Sequence, residues 1–208
     1  MASYHAPKAR VMRRFGEVLV PRPKYHKIVE KRGYPPGEHG KEKAFRSGRR
    51  SDYGTQLSEK QKLSFIYNIR ETQLRRYFNR ARRMPGNTGS NLLMLLERRL
   101  DNMVYRAGFA ATIWAARQMV SHGHILVDGQ RLDLASYQVN PGQTIAVIPK
   151  MQKNVHVIES MESSIHNLPY LSVDKTNFSA RLSHVPERAD IPVPLQEQLV
   201  VEFYNRLV

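Results

Sequence analysis

Residues 92–150 read LLMLLERRLDNMVYRAGFAATIWAARQMVSHGHILVDGQRLDLASYQVNPGQTIAVIPK. Leu92, Leu93, Leu96, Leu100, Met103 and Val104 keep the three-and-four spacing of an amphipathic helix. Gly108 is its expected stop, because a helix end in the left-handed conformation favours glycine. Thr112 reads as an N-cap whose hydroxyl takes an N–H of the next helix. That helix should bury Ile113, Ala116 and Val120, show Arg117 and Gln118 to one side, and end near Gly123. The period then changes to that of a β-strand at Ile125-Leu126-Val127, with a turn at Asp128-Gly129 before Leu132. Pro141-Gly142 marks another turn before a strand from Thr144 to Ile148. The expectation is two short helices on a small antiparallel sheet, with Arg117, His122, His124 and Arg131 near the helix–strand junction.

Working outward, charge separates the chain into two parts. Residues 1–84 hold 22 lysines or arginines against 7 aspartates or glutamates, and residues 85–208 hold 11 of each. The whole net charge of +15 therefore lies in the front. Such a block joined to a neutral body suits a polyanion, and nucleic acid is favoured over membrane because no lipid-facing amphipathic pattern is present. Solubility alone needs far less charge. No apolar run reaches the roughly 18 residues that would span a bilayer. The first residues, MASYHAPKARVMRR, lack the apolar block of a secretory signal, and a basic transit peptide stays open. With no cysteine, disulfides and thiolate metal sites are excluded.

Residues 1 to about 55 show no sustained periodicity, and Pro7, Pro21, Pro23, Pro35 and Pro36 interrupt them. The expectation is a segment that is poorly ordered alone and ordered by RNA. Tyr4, Tyr25, Tyr34 and Tyr53 lie among its cations, which suits phosphates and stacked bases better than a plain linker. Tyr34-Pro35-Pro36-Gly37-Glu38-His39-Gly40 is glycine-rich but no P-loop, since it lacks the Gly-Lys-Ser/Thr ending.

Ser58 is expected to open one long helix, with Gln61 completing a capping box. Leu63, Ile66, Tyr67, Leu74, Tyr77, Phe78 and Ala81 fall on one face, and Arg75, Arg76, Arg80, Arg82 and Arg83 fan over the other. Few acids alternate with these arginines, so phosphate contact outweighs a solvated face. Arg70 lies near the apolar side. Residues 84–89 read as a linker. Val155 to Ile158 is β-branched in content, loop residues precede Pro194, and Leu195, Leu199, Val200, Phe203 and Leu207 share helical spacing.

Enzyme chemistry finds no candidate. Asp101 is expected to pair with Arg98, and Glu97 and Asp101 read as exposed beside arginines, with no pocket to raise a pKa. No serine elbow is present. His122 and His124 lack a third convergent ligand, so no metal and no cofactor is expected.

Several motifs carry a resemblance. Arg99-Leu100-Asp101, Gly108-Phe109-Ala110, Ala116-Arg117-Gln118, His122-Gly123-His124-Ile125 and Val127-Asp128-Gly129 closely resemble the small RNA-binding module named after ribosomal protein S-four. RNA-modifying enzymes and some tRNA synthetases carry that module too. The flanks decide: Tyr34 to Gly40, Ser51-Asp52-Tyr53-Gly54 and Gln196 to Tyr204 resemble the ribosomal protein S-four family itself. Some members have a four-cysteine knuckle near the N-terminus, where this chain has Ala9 and Met12.

The resemblance implies an α+β fold. Residues 1–55 would be an extended basic arm, 56–90 with 180–208 a discontinuous helical domain, and 91–179 an inserted module with a β extension. It implies a non-catalytic small-subunit component, in a bacterial-type cytoplasmic ribosome before an organellar one, that binds 16S rRNA, starts subunit assembly and supports decoding accuracy. Implied partners are small-subunit protein five, other small-subunit proteins, and mRNA where it enters the subunit. An RNA-modifying enzyme and a ribosome-rescue factor are the alternatives. With the charge pattern it marks an RNA-contacting set. In the arm these are Lys8, Arg10, Arg13, Arg14, Tyr34, His39, Arg46, Arg49, Arg50 and Tyr53. Lys60, Lys62, Arg75, Arg76, Arg80, Arg82 and Arg83 follow on the helix, and Thr112, Arg117, Gln118, His122, His124 and Arg131 in the module.

Overall fold

Prolines in the N-terminal segment open helices instead of preventing them. Pro7 is the N-cap of α1 (Lys8–Phe15), which Gly16 closes at a φ of 74°. Pro23 is the first residue of α2 (Pro23–Lys31). The first turn of a helix has no use for the N–H that proline lacks, so the residue is tolerated there. With α3 (Gly40–Phe45) these helices correct the expectation of an extended arm. The computed structural model describes residues 6–45, 51–163 and 168–206. The chain divides into two compact units, residues 1–68 with 198–208 and residues 69–197.

The first unit is helical. Its longest element, α4 (Asp52–Ile66), begins at Asp52 and not at Ser58. Ser51 is the cap, its hydroxyl accepting the Gly54 N–H at 3.2 Å. The C-terminal helix (Glu197–Asn205) buries Val200, Phe203 and Tyr204. Gln56 on α4 donates to Glu202 on that helix at 2.8 Å. Met12 is fully buried, with Val20, Leu63 and Phe65 also in the interior.

The single long helix expected from Ser58 is two helices. α4 ends at Ile66, Asn68 adopts a φ of 50°, and α5 (Glu71–Arg82) starts afresh. Asparagine tolerates the left-handed region better than most residues, whereas apolar spacing carries on across the break and hides it. The helix read from Leu92 divides in the same way, into α6 (Thr88–Glu97) and α7 (Leu100–Arg106). There the backbone leaves the helix to pair with an extended segment: Arg99 bridges Gln138, and the Val139 N–H reaches the Arg98 carbonyl at 2.9 Å.

α8 (Ile113–Ser121) is capped by Thr112, whose hydroxyl accepts the Ala115 N–H at 3.2 Å. β1 (Ile125–Val127) and β2 (Gln130–Arg131) form a hairpin. Asp128 and Gly129 at its turn have φ of 49° and 81°, the two positive angles that match the strand twist. β3 (Thr144–Val147) follows, then α9 (Pro149–Gln152) and α10 (Val155–Ser163). α10 occupies the β-branched run; the Asn154 side chain accepts the His156 N–H at 2.9 Å and so starts a helix there. The sheet is instead extended by β4 (Leu171–Asp174) and β5 (Ser179–Leu182), the second lying in the expected loop. The order is β2-β1-β3-β5-β4, antiparallel throughout. One core of Leu100, Val104, Phe109, Val120, Ile125, Ile145, Tyr170 and Leu182 joins helices to sheet, so the class is α+β.

Candidate nucleic-acid interface

α5 turns Leu74, Phe78 and Ala81 inward and leaves Arg75, Arg76, Arg80, Arg82 and, at its C-cap, Arg83 exposed. Among the described residues none of these five takes part in an ion pair, so the stripe stays cationic. A sixth guanidinium joins it that the sequence reading missed. Arg98 does not pair with Asp101 as expected; it donates to the Val139 carbonyl at 2.9 Å and to Asn140 Oδ1 at 2.6 Å. Burial, then the charge of Arg80, holds Arg98 below its ordinary value. A residue three before a sequence-adjacent acid on an apparent helix gives no sign of this; only the break between α6 and α7 does.

At the helix–strand junction of the module, Gln118, His122 and Arg131 are exposed. Arg131 donates to the His122 carbonyl at 3.0 Å and lies across Gly123. Gly123 has a φ of 67°, and a Cβ there would strike the Arg131 guanidinium. The rings of His122 and His124 meet edge-on with centroids 5.9 Å apart. Burial, followed by the charges of His122, Arg131 and Lys150, lowers the His124 pKa. Lys150, on α9, is a second cation absent from the sequence reading. Thr112 serves as the cap of α8.

Other expected contacts point inward. Lys62 pairs with Glu17 at 2.6 Å and keeps only 6% of its side chain exposed. Lys60 is buried, its ammonium 5.0 Å from the centre of the Phe203 ring. Neither offers a solvent-facing charge. Arg117 is 12% exposed and lies 3.5 Å from Asp101. The carboxylates read as exposed are in fact fully buried: Asp101 is held by Arg99 at 2.8 Å and Glu97 by Arg106 at 2.7 Å. Asn102 and the Tyr170 hydroxyl also donate to Glu97, and burial with that carboxylate pushes the Tyr170 pKa up. These acids are neutralised within the core, and acid–base chemistry gains no candidate from them.

In the first unit, Arg10, Arg14 and Tyr53 are exposed and Lys8 is half-buried. Burial, then Lys24 and Arg22, lowers the Lys8 pKa. Arg13 donates to the carbonyls of Arg32, Tyr34 and Pro35 at 3.1, 3.2 and 3.4 Å, with its guanidinium 4.8 Å from the Tyr34 ring centre. It thus shapes the Tyr34 to Gly40 turn, where Gly40 is needed because a Cβ there would collide with the Pro35 carbonyl. His39 is exposed and sits 3.5 Å from Glu42. Arg46, Arg49 and Arg50 lie outside the described residues. Among the described residues no group of three or more histidines or acids could hold a metal, and no helix is long and apolar enough to cross a membrane. Met12, at one of the knuckle positions, is packed as a core residue.

Two family models match this chain end to end with each other: the ribosomal protein S4/S9 N-terminal domain over residues 3–97 and the S4 domain over residues 98–145. With the fold and the basic surfaces, they define an RNA-binding protein built around an S4 domain. The likeness runs through the whole length. The small ribosomal subunit protein uS4 of Parabacteroides distasonis is 44% identical over 207 residues, covering 99% of this chain and 100% of the relative. The uS4 proteins of Geobacillus stearothermophilus and Geobacillus sp. strain WCH70 are each 46% identical, with 99% and 100% covered. The chain belongs to the small ribosomal subunit protein uS4 family. These relatives are named as ribosomal proteins, and none as an enzyme.

Proposed function

We propose that this chain is a structural protein of the small ribosomal subunit that binds 16S rRNA directly and fixes its fold early in assembly. The observation that carries the reading is α5, whose exposed arginines stand on a helix firmly seated through Leu74, Phe78 and Ala81. A rigid row of guanidiniums neutralises closely spaced phosphates and releases their counterions, with no covalent step. The junction of Gln118, His122, His124 and Arg131 adds a second contact that sets orientation. The exposed cations of α1 and the Tyr34 turn would extend the grip over residues 1–55. Family membership supports the wider reading of a bacterial-type cytoplasmic subunit, neighbouring protein five and the incoming mRNA, with an influence on decoding accuracy.

Sedimentation tests it. The protein should be found at one copy per small subunit and sediment with the particle at low salt. A substoichiometric amount would favour a transient factor, and turnover on rRNA by the isolated protein would favour an enzyme.

A further inference from the structure

We propose that Arg13 is a positioning residue for RNA binding: it clasps the Tyr34 to Gly40 turn in one shape and is not itself a phosphate contact. This rests on the reading of the chain as an rRNA-binding protein and deepens it. Arg13 stands in the last turn of α1, next to Met12, which is fully buried. The Gly16 N–H closes that turn on the Met12 carbonyl at 2.8 Å, so the backbone carrying Arg13 is fixed.

Its guanidinium reaches a distant segment of the chain. Nε is shared between the carbonyls of Arg32 and Tyr34, 19 and 21 residues on, at 3.1 and 3.2 Å. Nη2 donates to the Pro35 carbonyl at 3.4 Å. Arg32 is the C-cap of α2, where the helix has no further N–H to offer its last carbonyls. Gly40 constrains Pro35 a second time: it is buried, and a Cβ there would strike the same Pro35 carbonyl oxygen. The Tyr34 ring joins the clasp, with the Arg13 guanidinium 4.8 Å and the Lys41 ammonium 5.6 Å from its centre.

Two consequences follow from this geometry. The Nε–Nη2 edge, one of those with which arginine grips a phosphate side-on, is turned to protein carbonyls. Arg10 and Arg14 on the same helix are exposed and keep their edges in water. The second consequence concerns the turn. Residues 33–40 hold three glycines and two prolines, and outside a clasp such a segment samples many shapes. Held by Arg13, it presents Gly37, Glu38, His39 and Lys41 to solvent in one arrangement. Ordering the turn in advance raises affinity for RNA without adding a phosphate contact.

The test compares R10Q, R14Q, R13Q, R13K and G40A in the full chain, bound to a small-subunit rRNA fragment at several salt concentrations. R10Q and R14Q should each reduce the slope of log affinity against log salt by roughly 0.7–1. R13Q should keep the native slope and lose roughly tenfold in affinity. R13K should lose as much, because it retains the charge without the planar fork. G40A changes no charge and displaces the clasped carbonyl, so it should match R13Q and reads the turn even where R13Q impairs folding. Hydrogen exchange of the free protein gives a readout without RNA. The Gly40 amide, bonded to the Gly37 carbonyl at 3.1 Å, should exchange roughly tenfold faster in R13Q and G40A, with the α4 amides as in the native chain. A slope in R13Q reduced as in R10Q, affinity restored by R13K, or native exchange at Gly40 would overturn the clasp and leave the rRNA reading intact. Native binding that ignores salt would bring down the rRNA reading, while exchange at Gly40 would still decide the clasp.

Discussion

Arg106 and Glu97 meet inside the module, Nη2 to Oε1 at 2.7 Å and Nε to Oε2 at 3.1 Å, with the carboxylate wholly out of water. A pair so placed holds α6 and α7 across the break between them. Removing one partner strands the other as a buried charge. Glu97→Gln should therefore lower unfolding free energy by about 3–5 kcal/mol in urea titrations. A change below about 1 kcal/mol would show that Arg106 finds compensation elsewhere.

The arginine stripe makes a separate demand. Replacing Arg76, Arg80 and Arg83 together by alanine removes exposed charge and adds helix propensity, so the thermal midpoint should hold or rise. The slope of rRNA affinity against salt should fall by roughly 2–3. A native slope in this variant would mean that α5 faces something other than phosphate.

Gly123 and Gly129 offer a matched comparison. Both have positive φ, 67° and 81°, but a Cβ at Gly129 meets nothing within 4 Å while one at Gly123 collides with Arg131. Alanine at either site should cost about 1–2 kcal/mol of stability for the left-handed backbone. Only Gly123→Ala should also weaken RNA binding, because Arg131 must move. Equal affinity losses in the two variants would detach Arg131 from the interface.

His124 links binding to pH. Burial, and the charges of His122, Arg131 and Lys150, lower its pKa from the ordinary 6.5. A base with a lowered folded pKa contributes full stability above its unfolded value, and that stability is lost as pH falls through it. A phosphate beside the imidazole acts in the opposite direction and favours the protonated ring. RNA binding should then take up a proton, and affinity should rise between about pH 7.5 and 6. Calorimetry in buffers of different ionisation enthalpy reads the proton directly; no uptake, or the same uptake in His124→Gln, contradicts the role.

Much of the module was legible because its signals are local. Thr112 as a cap, Gly108 as a stop and Asp128-Gly129 as a turn each depend on the backbone of a few neighbouring residues. The breaks at Asn68 and Arg99 were not legible, since apolar spacing passes through both in phase. Tertiary pairing of Arg99 with Gln138 decides the second. The same limit governs the charges. Arg76 and Arg80 follow from helix periodicity, whereas Lys62, Asp101 and Glu97 turn inward only because partners distant in sequence or across a helix break receive them. Prolines misled for a simpler reason: Pro7 and Pro23 begin helices, and a reading that treats proline as a breaker places the boundary on the wrong side.

Binding of the full chain to 16S rRNA, followed as salt is raised from about 50 to 200 mM, addresses the central claim most directly. About 6–10 phosphate contacts predict a loss of affinity on the order of a thousandfold or more over that range. Affinity that holds steady would mean that the basic front of this protein does not grip RNA through its phosphates.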